Sequence, residues 1–210
     1  MTVPTQEVHT EFKHVELLLT RLRLPFLLRH LPPKLVWSIY VCVNGFVTIA
    51  ALALLGEVTH NPFVFPSLGP TAYLVFFSPL KESSSPKNAI FGHAIGLLCG
   101  YGAFWITGMH VFAQPTANGI YWPRVFAAAL ALAGTGMLMV AFSVSHPPAG
   151  ATTLIVALGI LSKPEYLVII EIAVILLILQ AWALNHLAGL DYPIWYREDE
   201  KPLPPSMQPQ

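Results

Sequence analysis

The chain has 210 residues, of which 55% are hydrophobic and 10% charged, and its eleven basic and eleven acidic residues give a formal net charge of zero. A water-soluble domain carries about 25% charged residues, so this chain has too little polar surface to face water on all sides. The neutral balance and the lack of a basic run exclude a nucleic-acid-binding protein. Composition therefore predicts a polytopic helical membrane protein whose main partner is the lipid bilayer.

The first segment, residues 1–33, precedes the apolar part of the chain. Hydrophobic residues recur at helical spacing from Phe12 to Leu22, with charged residues between them. This pattern predicts an amphipathic helix that Pro25 ends, lying on the bilayer surface or packed against the protein itself.

The last segment, residues 191–210, is rich in proline and charge and is expected to extend into water on the cytoplasmic side. Its aromatic residues are of the type that anchors a chain at the lipid headgroups. The expected anchors are Tyr192, Trp195 and Tyr196.

Between these termini, residues 34–190 form the predicted membrane domain. Its six apolar segments follow the order long, short, long, long, short, long. The long segments run near 34–56, 88–110, 122–145 and 165–188, and the short ones near 62–79 and 146–162. This order predicts two repeats, about 34–110 and 122–188. Three crossings per repeat would invert one repeat relative to the other, whereas re-entrant short segments would leave four crossings.

Each short segment contains the motif P-x-x-G-x-T-x-x-x-V. The first copy runs from Pro66 to Val75 and the second from Pro147 to Val156, so the copies lie 147 − 66 = 81 residues apart. Paired Pro/Gly-interrupted segments at corresponding places in two repeats are typical of a transporter binding site. Because proline is tolerated only in the first turn of a helix, each motif predicts the start of a half-helix. The predicted fold is an all-α membrane protein in which two inverted repeats bring two half-helices together near the midplane.

The distribution of lysine and arginine predicts the orientation. Five basic residues precede the first span, which favours a cytoplasmic N-terminus. Six crossings place nine basic residues inside and two outside, and four crossings place eight inside and three outside. We favour six crossings; either arrangement gives a multi-pass protein of the inner cell membrane with both termini in the cytoplasm.

The string from His146 to Thr152, HPPAGAT, resembles the signature of the HPP family of integral membrane proteins. The Gly69–Ala72 motif, the stretch from Ser78 to His93, Asn185 and the Tyr192–Trp195 pattern are also similar to that family. The resemblance spans about 35–195. Family members are usually described with four membrane helices, and those of plastids and cyanobacteria are associated with nitrite transport. The resemblance therefore implies a transporter for a small inorganic anion, with nitrite as the leading candidate.

The residues themselves allow an anion site at the two motifs. An anion in a membrane needs hydrogen-bond donors, and no lysine or arginine lies deep in a predicted span. A helix N-terminus supplies unpaired backbone N–H groups and about half a positive charge. The glycines would let the backbone approach the ligand closely, unless they and the prolines only interrupt helices for packing. The candidate substrate-binding residues are Ser67, Gly69, Thr71, His146, Gly150, Thr152 and Thr153.

Glu171 and His93 are the candidates for proton coupling. Glu171 lies among apolar residues inside the last long segment, where an acid is costly and is often functional. A hydrogen-bonded structural carboxyl is the alternative. His93 lies beside Gly92, Gly96 and Gly100, whose four-residue spacing predicts a flat face for close helix contact. A structural hydrogen bond is the alternative for His93.

Other classes of function find little support in the sequence. The histidines lack the spacing of a metal site, and no hydrolase, metalloprotease or phosphate-loop motif occurs, so we expect no metal, no cofactor and no enzymatic activity. A passive anion channel is the main alternative to a transporter, ahead of an intramembrane enzyme or a signalling scaffold. Gly134-Thr135-Gly136 indicates close packing within the fold or between subunits, which leaves a homo-oligomer open.

Overall fold

The computed structural model describes residues 23–111 and 122–194, and these residues form seven α-helices and no strand. The predicted all-helical class is therefore confirmed. The predicted amphipathic helix up to Leu22, and Trp195 and Tyr196, lie outside the described residues. The helices are α1 (Leu24–His30), α2 (Pro33–Thr59), α3 (Leu68–Phe77), α4 (Pro86–Ile106), α5 (Trp122–Ala141), α6 (Ala149–Ala157) and α7 (Pro164–Leu187).

Helix length separates four long helices from two short ones. Helices α2, α4, α5 and α7 have 27, 21, 20 and 24 residues and are apolar enough to cross a membrane, as a multi-pass protein requires. Helices α3 and α6 have 10 and 9 residues, or about 15 Å and about 14 Å of helical rise, so neither spans a bilayer alone.

Proline marks helix starts throughout the described chain. Prolines occupy the first turn of α1, α2, α4 and α7, where the missing N–H has no helical partner to lose. Pro25 lies in the first turn of α1, and the helix that it was expected to end falls outside the described residues.

Helix α4 lies at the centre of the bundle, and α2 and α5 lie at its periphery. Half of the most hydrophobic stretch of α4 is buried, against 11% for α2 and 17% for α5. The outward residues of the peripheral helices are large and apolar, among them Phe46, Leu54, Phe126 and Val140. An exposed apolar surface of this kind is stable in lipid and unstable in water.

The principal contacts among α2–α7 come in matched pairs. Each helix of the first half is paired with one of the second half: α2 with α5, α3 with α6, and α4 with α7. When the members of each pair are exchanged, the α2–α3 contact becomes the α5–α6 contact, the α2–α7 contact becomes the α4–α5 contact, and the α3–α7 contact becomes the α4–α6 contact. The α4–α7 contact converts into itself. The α2–α3 and α5–α6 contacts lie within the two halves, and the other contacts join one half to the other.

The ends of the helices can be placed relative to one another by their hydrogen bonds. The Leu24 N–H donates to the Ala188 carbonyl at 2.8 Å, and the Lys87 N–H donates to the Ile194 carbonyl at 3.4 Å. The Tyr40 hydroxyl, near the start of α2, donates to the Asn185 side-chain oxygen at 2.7 Å. The starts of α2 and α4 and the end of α7 thus lie at one end of the bundle. Residues 60–85 must return from the far end of α2 to this end.

Tyr192 differs from its predicted place at the headgroups. Its side chain is buried, and its hydroxyl donates to the Ser84 carbonyl beside the start of α4. Burial raises the pKa of the Tyr192 hydroxyl above its ordinary value, which keeps the proton needed for this bond. The beginning of the C-terminal tail is therefore attached to the bundle rather than extended into water.

Three glycines of α4 allow α6 to approach closely, as their spacing predicted. A Cβ atom at Gly92 would lie 2.7 Å from the His146 Cβ, at Gly96 2.8 Å from the Ala149 oxygen, and at Gly100 2.6 Å from the Thr153 oxygen. These contacts advance along both helices in the same order, so α6 runs parallel to α4. The glycine face fixes the height of α6 on α4.

We expect Gly96→Ala to destabilise the protein by about 1–3 kcal/mol, because the methyl group would overlap the Ala149 carbonyl of α6. Gly69→Ala is the matched control, since a Cβ at Gly69 meets no atom within 4 Å. Thermal unfolding of both purified variants in detergent measures the difference. Equal unfolding temperatures for the two variants would contradict the close packing of α6 on α4.

Candidate functional site

The starts of the two half-helices meet. The Ser67 and Thr152 hydroxyl oxygens, one from each motif, lie 2.6 Å apart. Thr71, one turn into α3, contacts His146, which immediately precedes the second motif, with 3.2 Å between Oγ1 and Nε2. Helix α3 therefore runs past the start of α6 in the opposite direction, and the first turns overlap side by side.

His93 of α4 lies between the two copies of the motif. Its Nε2 is 2.9 Å from the Thr71 hydroxyl oxygen, and its Nδ1 is 2.7 Å from the Thr152 hydroxyl oxygen. Thr71 and Thr152 occupy the same place in the two motifs, so one imidazole joins equivalent residues of the two halves. The fully buried group of Ser67, Thr71, His93, His146 and Thr152 is called the Thr–His cluster below.

His146 joins the cluster to the connection before α4. Its Nδ1 lies 2.8 Å from the Ser83 carbonyl oxygen, and its ring centroid lies 5.0 Å from that of His93. The Phe65 side chain, at the matching place in the first motif, is buried among apolar residues instead. The cluster therefore has its second imidazole on one side only.

Thr153 forms a second polar contact next to the cluster. Its hydroxyl lies 2.9 Å from the Thr135 hydroxyl of α5 and 3.0 Å from the Ala149 carbonyl, and both threonines are buried. Thr135 of the small-residue segment at Gly134–Gly136 thus packs within the fold, whereas Gly136 is exposed. Thr153 holds α5 against α6 and does not contact the histidines through any hydrogen bond in the described residues.

The backbone N–H groups expected to be unpaired are largely occupied. The N–H groups of Ala149, Gly150 and Ala151 each donate at 3.1 Å to the carbonyl three residues earlier, and the Leu68 N–H donates to Phe65 at 3.0 Å. The Pro-rich segments turn tightly enough for their own carbonyls to cap the helix starts. The positive ends of the two helix dipoles remain, but the donors in the cluster are hydroxyl and imidazole groups.

Gly69 and Gly150 lie outside the Thr–His cluster. Gly69 is exposed, and a Cβ at Gly150 would meet only the Leu132 Cδ1, at 3.4 Å. Neither glycine is needed for a close approach to the cluster. The glycines with that role are those of α4, which hold His146 and Thr153 against α4.

Glu171 is separate from the hydrogen bonds of the cluster. Both of its carboxyl oxygens are buried, and neither has a hydrogen-bond partner in the described chain. Asn185, on nearly the same face of α7, bonds to Tyr40 and donates to the Val75 carbonyl at 3.2 Å. Asn185 thus attaches α7 to α2 and α3.

Sequence reasoning missed the Ser83 carbonyl and the Tyr40–Asn185 bond. A backbone carbonyl carries no residue type that a motif could reveal, and Tyr40 and Asn185 stand 145 residues apart. Within residues 23–111 and 122–194, no group of three or more His, Cys, Asp or Glu side chains could hold a metal ion.

Four spanning helices and a buried polar cluster between two short helices define a polytopic membrane protein, compatible with a transporter or channel. Residues 31–193 match the family described as HPP, transmembrane region, and the chain belongs to this HPP family, as predicted. Comparison with curated proteins and with solved structures gives no match.

We expect Thr71→Val to destabilise the protein by about 1–3 kcal/mol, because the valine leaves two buried imidazole nitrogens without their shared partner. Thr107→Val is the control, since the hydrogen bond of the Thr107 hydroxyl in the described part of the chain goes to the Ala103 carbonyl of the preceding helix. Unfolding in detergent measures both. A Thr71→Val variant as stable as Thr107→Val would show that the hydroxyl does not hold the histidines.

Proposed function

We propose that the chain carries a small inorganic anion, most favourably nitrite, across the membrane, and that the anion binds at the Thr–His cluster between the starts of α3 and α6. The observation that carries the proposal is the meeting of the two motifs at one buried, donor-rich place. Nitrite is favoured through the HPP resemblance, because nitrite transport is associated with members of plastids and cyanobacteria.

The electrostatics of the cluster favour an anion over a cation. The cluster contains no Asp or Glu, and two helix N-termini direct their positive ends toward it. It also contains no Lys or Arg, so the attraction stays moderate. A transported ion must leave its site as well as enter it, and a moderate attraction permits both.

The proposed architecture is a pair of inverted repeats. The matched helix contacts and the opposite directions of α3 and α6 support it. In this arrangement each extended segment enters the bilayer from one side and its half-helix leaves toward the other. Both termini then lie in the cytoplasm.

Transport is tested with purified protein reconstituted in liposomes. Nitrite is added outside, and an ion gradient is imposed across the lipid. We expect accumulation above the external concentration, and a loss of about tenfold or more in Thr152→Val, because the variant removes a hydroxyl from the proposed site and one hydrogen bond to a charged group is worth about 1.5–3 kcal/mol. The exposed His186 lies outside the cluster, so His186→Gln is the control.

Each outcome of this assay has a distinct meaning. Uptake that only equilibrates nitrite would identify a passive channel with the same site. Undiminished uptake by Thr152→Val would remove the cluster as the site. Empty liposomes correct for passage of nitrous acid through the lipid.

Six crossings are tested by cysteine labelling in a variant without Cys42 and Cys99. Lys81 and Lys163 are both exposed. We expect a membrane-impermeant maleimide to label Lys81→Cys from the cytoplasmic side and Lys163→Cys from the outer side. Labelling of both from the same side would indicate re-entrant short segments and four crossings.

A further inference from the structure

The contact between His146 and the Ser83 carbonyl sets the donor and acceptor roles of the hydrogen bonds in the Thr–His cluster. The Ser83 carbonyl can only accept, so the His146 Nδ1 beside it carries the proton. A neutral imidazole has one N–H, and the Nε2 of neutral His146 is therefore an acceptor. The Thr71 hydroxyl lies 3.1 Å from the Ser67 carbonyl and 3.2 Å from this Nε2. Because the Ser67 carbonyl also accepts from the Thr71 N–H, the Thr71 hydroxyl can supply its proton to His146 and leave neither acceptor without a donor.

The remaining contacts follow from this first one. The Thr71 hydroxyl has one proton, which it donates to His146. Its oxygen therefore accepts a hydrogen bond from the Nε2–H of His93 at 2.9 Å. The Nδ1 of neutral His93 is then an acceptor and takes the Thr152 proton at 2.7 Å. The Thr152 oxygen in turn accepts from the Ser67 hydroxyl at 2.6 Å.

One neutral arrangement thus satisfies all five contacts, in the donor order Ser67, Thr152, His93, Thr71, His146 and the Ser83 carbonyl. Each hydroxyl and each imidazole N–H of the cluster is used inside the chain of bonds. In this state no side-chain donor of the cluster is left for an anion. Binding of an anion therefore requires the chain of bonds to change.

We propose that a proton and the anion bind to the cluster as a pair, with the proton on His93; this rests on the proposed function. One N–H bond forms at His93 Nδ1, which becomes a donor to Thr152. The Thr152 proton turns to the Ser67 oxygen, and the Ser67 proton turns out of the chain toward the anion. The step takes up one proton, breaks no covalent bond, and places one imidazolium charge against one anion charge.

His93 rather than His146 accepts the proton, because Thr71 and Thr152 differ in the other hydrogen-bond acceptors within their reach. Thr71 has a second acceptor, the Ser67 carbonyl at 3.1 Å, so a proton on His146 would only turn the Thr71 hydroxyl to that carbonyl. The described hydrogen bonds give the Thr152 hydroxyl only Ser67 and His93 as partners. A proton on His93 therefore releases a donor, and a proton on His146 does not.

The ionisable group that faces His93 in the cluster is His146, and two charged rings 5.0 Å apart would repel each other, so the cluster takes one proton. Glu171 is the ionisable residue of α7 with buried, unpartnered oxygens and is tested separately below. The other ionisable side chains on α4 and on the elements packed against it are Tyr73, Glu82, Lys87, Cys99, Tyr101, His110, Arg124, Glu165, Tyr166 and His186.

The main test measures proton uptake when sodium nitrite binds to the full-length protein in weakly buffered detergent, with sodium gluconate as the ionic-strength control. We expect about one proton per nitrite, and an affinity that falls about tenfold for each unit of rising pH, as linkage requires. Thr152→Val should lose the proton uptake, and Thr152→Ser, which keeps the hydroxyl, should retain it. His186→Gln should match the unsubstituted chain.

The outcomes separate this inference from the proposed function. Nitrite binding without proton uptake and without pH dependence would overturn the paired binding and leave the anion site intact. Absence of binding by both nitrite and nitrate would overturn both proposals. Loss of uptake in Glu171→Gln together with retained uptake in His93→Gln would place the proton on the carboxyl and overturn the role of His93.

A second measurement does not depend on the anion or on the stability of the threonine variants. Nitrogen NMR of the protein with ¹⁵N-labelled histidine reports which ring nitrogen carries the proton. In the neutral state we expect Nε2–H for His93 and Nδ1–H for His146, with signals assigned through His93→Gln and His146→Gln. The opposite tautomer at His93 would overturn the donor order.

Discussion

The rest of this structure depends on the requirement that buried polar groups find partners inside a bundle whose outer surface is apolar. Five hydroxyl and imidazole side chains meet where two helices begin, and each has at least one hydrogen bond. In a medium without water, an unpaired group of this kind costs several kcal/mol. The cluster therefore fixes the relative positions of α3, α4 and α6 more strictly than apolar packing would. Close packing at the α4 glycines is the condition that brings the partners within reach.

The motif occurs twice in the sequence, but the ionisable groups near its two copies differ. His93 stands 93 − 86 = 7 residues after the proline that begins α4, and Glu171 stands 171 − 164 = 7 residues after the proline that begins α7. At this matched place one half has an imidazole with two partners, and the other has a carboxyl whose oxygens have none among residues 23–111 and 122–194. Phe65 likewise matches His146 in the motif. In the proposed mechanism the two copies of the motif provide the meeting point of the helices, and the residues that differ between the halves provide the groups that bind a proton.

Much of the fold could be predicted from the sequence because its signals are local. Proline in a first turn, and segment length against bilayer thickness, indicated the starts of most described helices to within a few residues. The motif also identified Ser67, Thr71 and Thr152, which do meet. The two motif glycines lie outside the Thr–His cluster, because the face that a glycine presents depends on helix packing. The Ser83 carbonyl and the paired amides of α6 depend on the backbone path, which residue types do not reveal.

The absence of a fixed cation from the cluster has a consequence for how an anion could be released. A buried lysine would hold an anion strongly and would remain charged on both sides of the membrane, so the affinity would stay high where the ion must leave. In the mechanism proposed above, a proton on His93 supplies the same charge but departs when the site opens to the less acidic side. Loss of the proton restores the closed chain of hydrogen bonds, in which Ser67 donates to Thr152 again and no donor faces the ligand. In the proposed mechanism the charge and the donor that attract the anion therefore disappear together, and the stability of the closed cluster favours release.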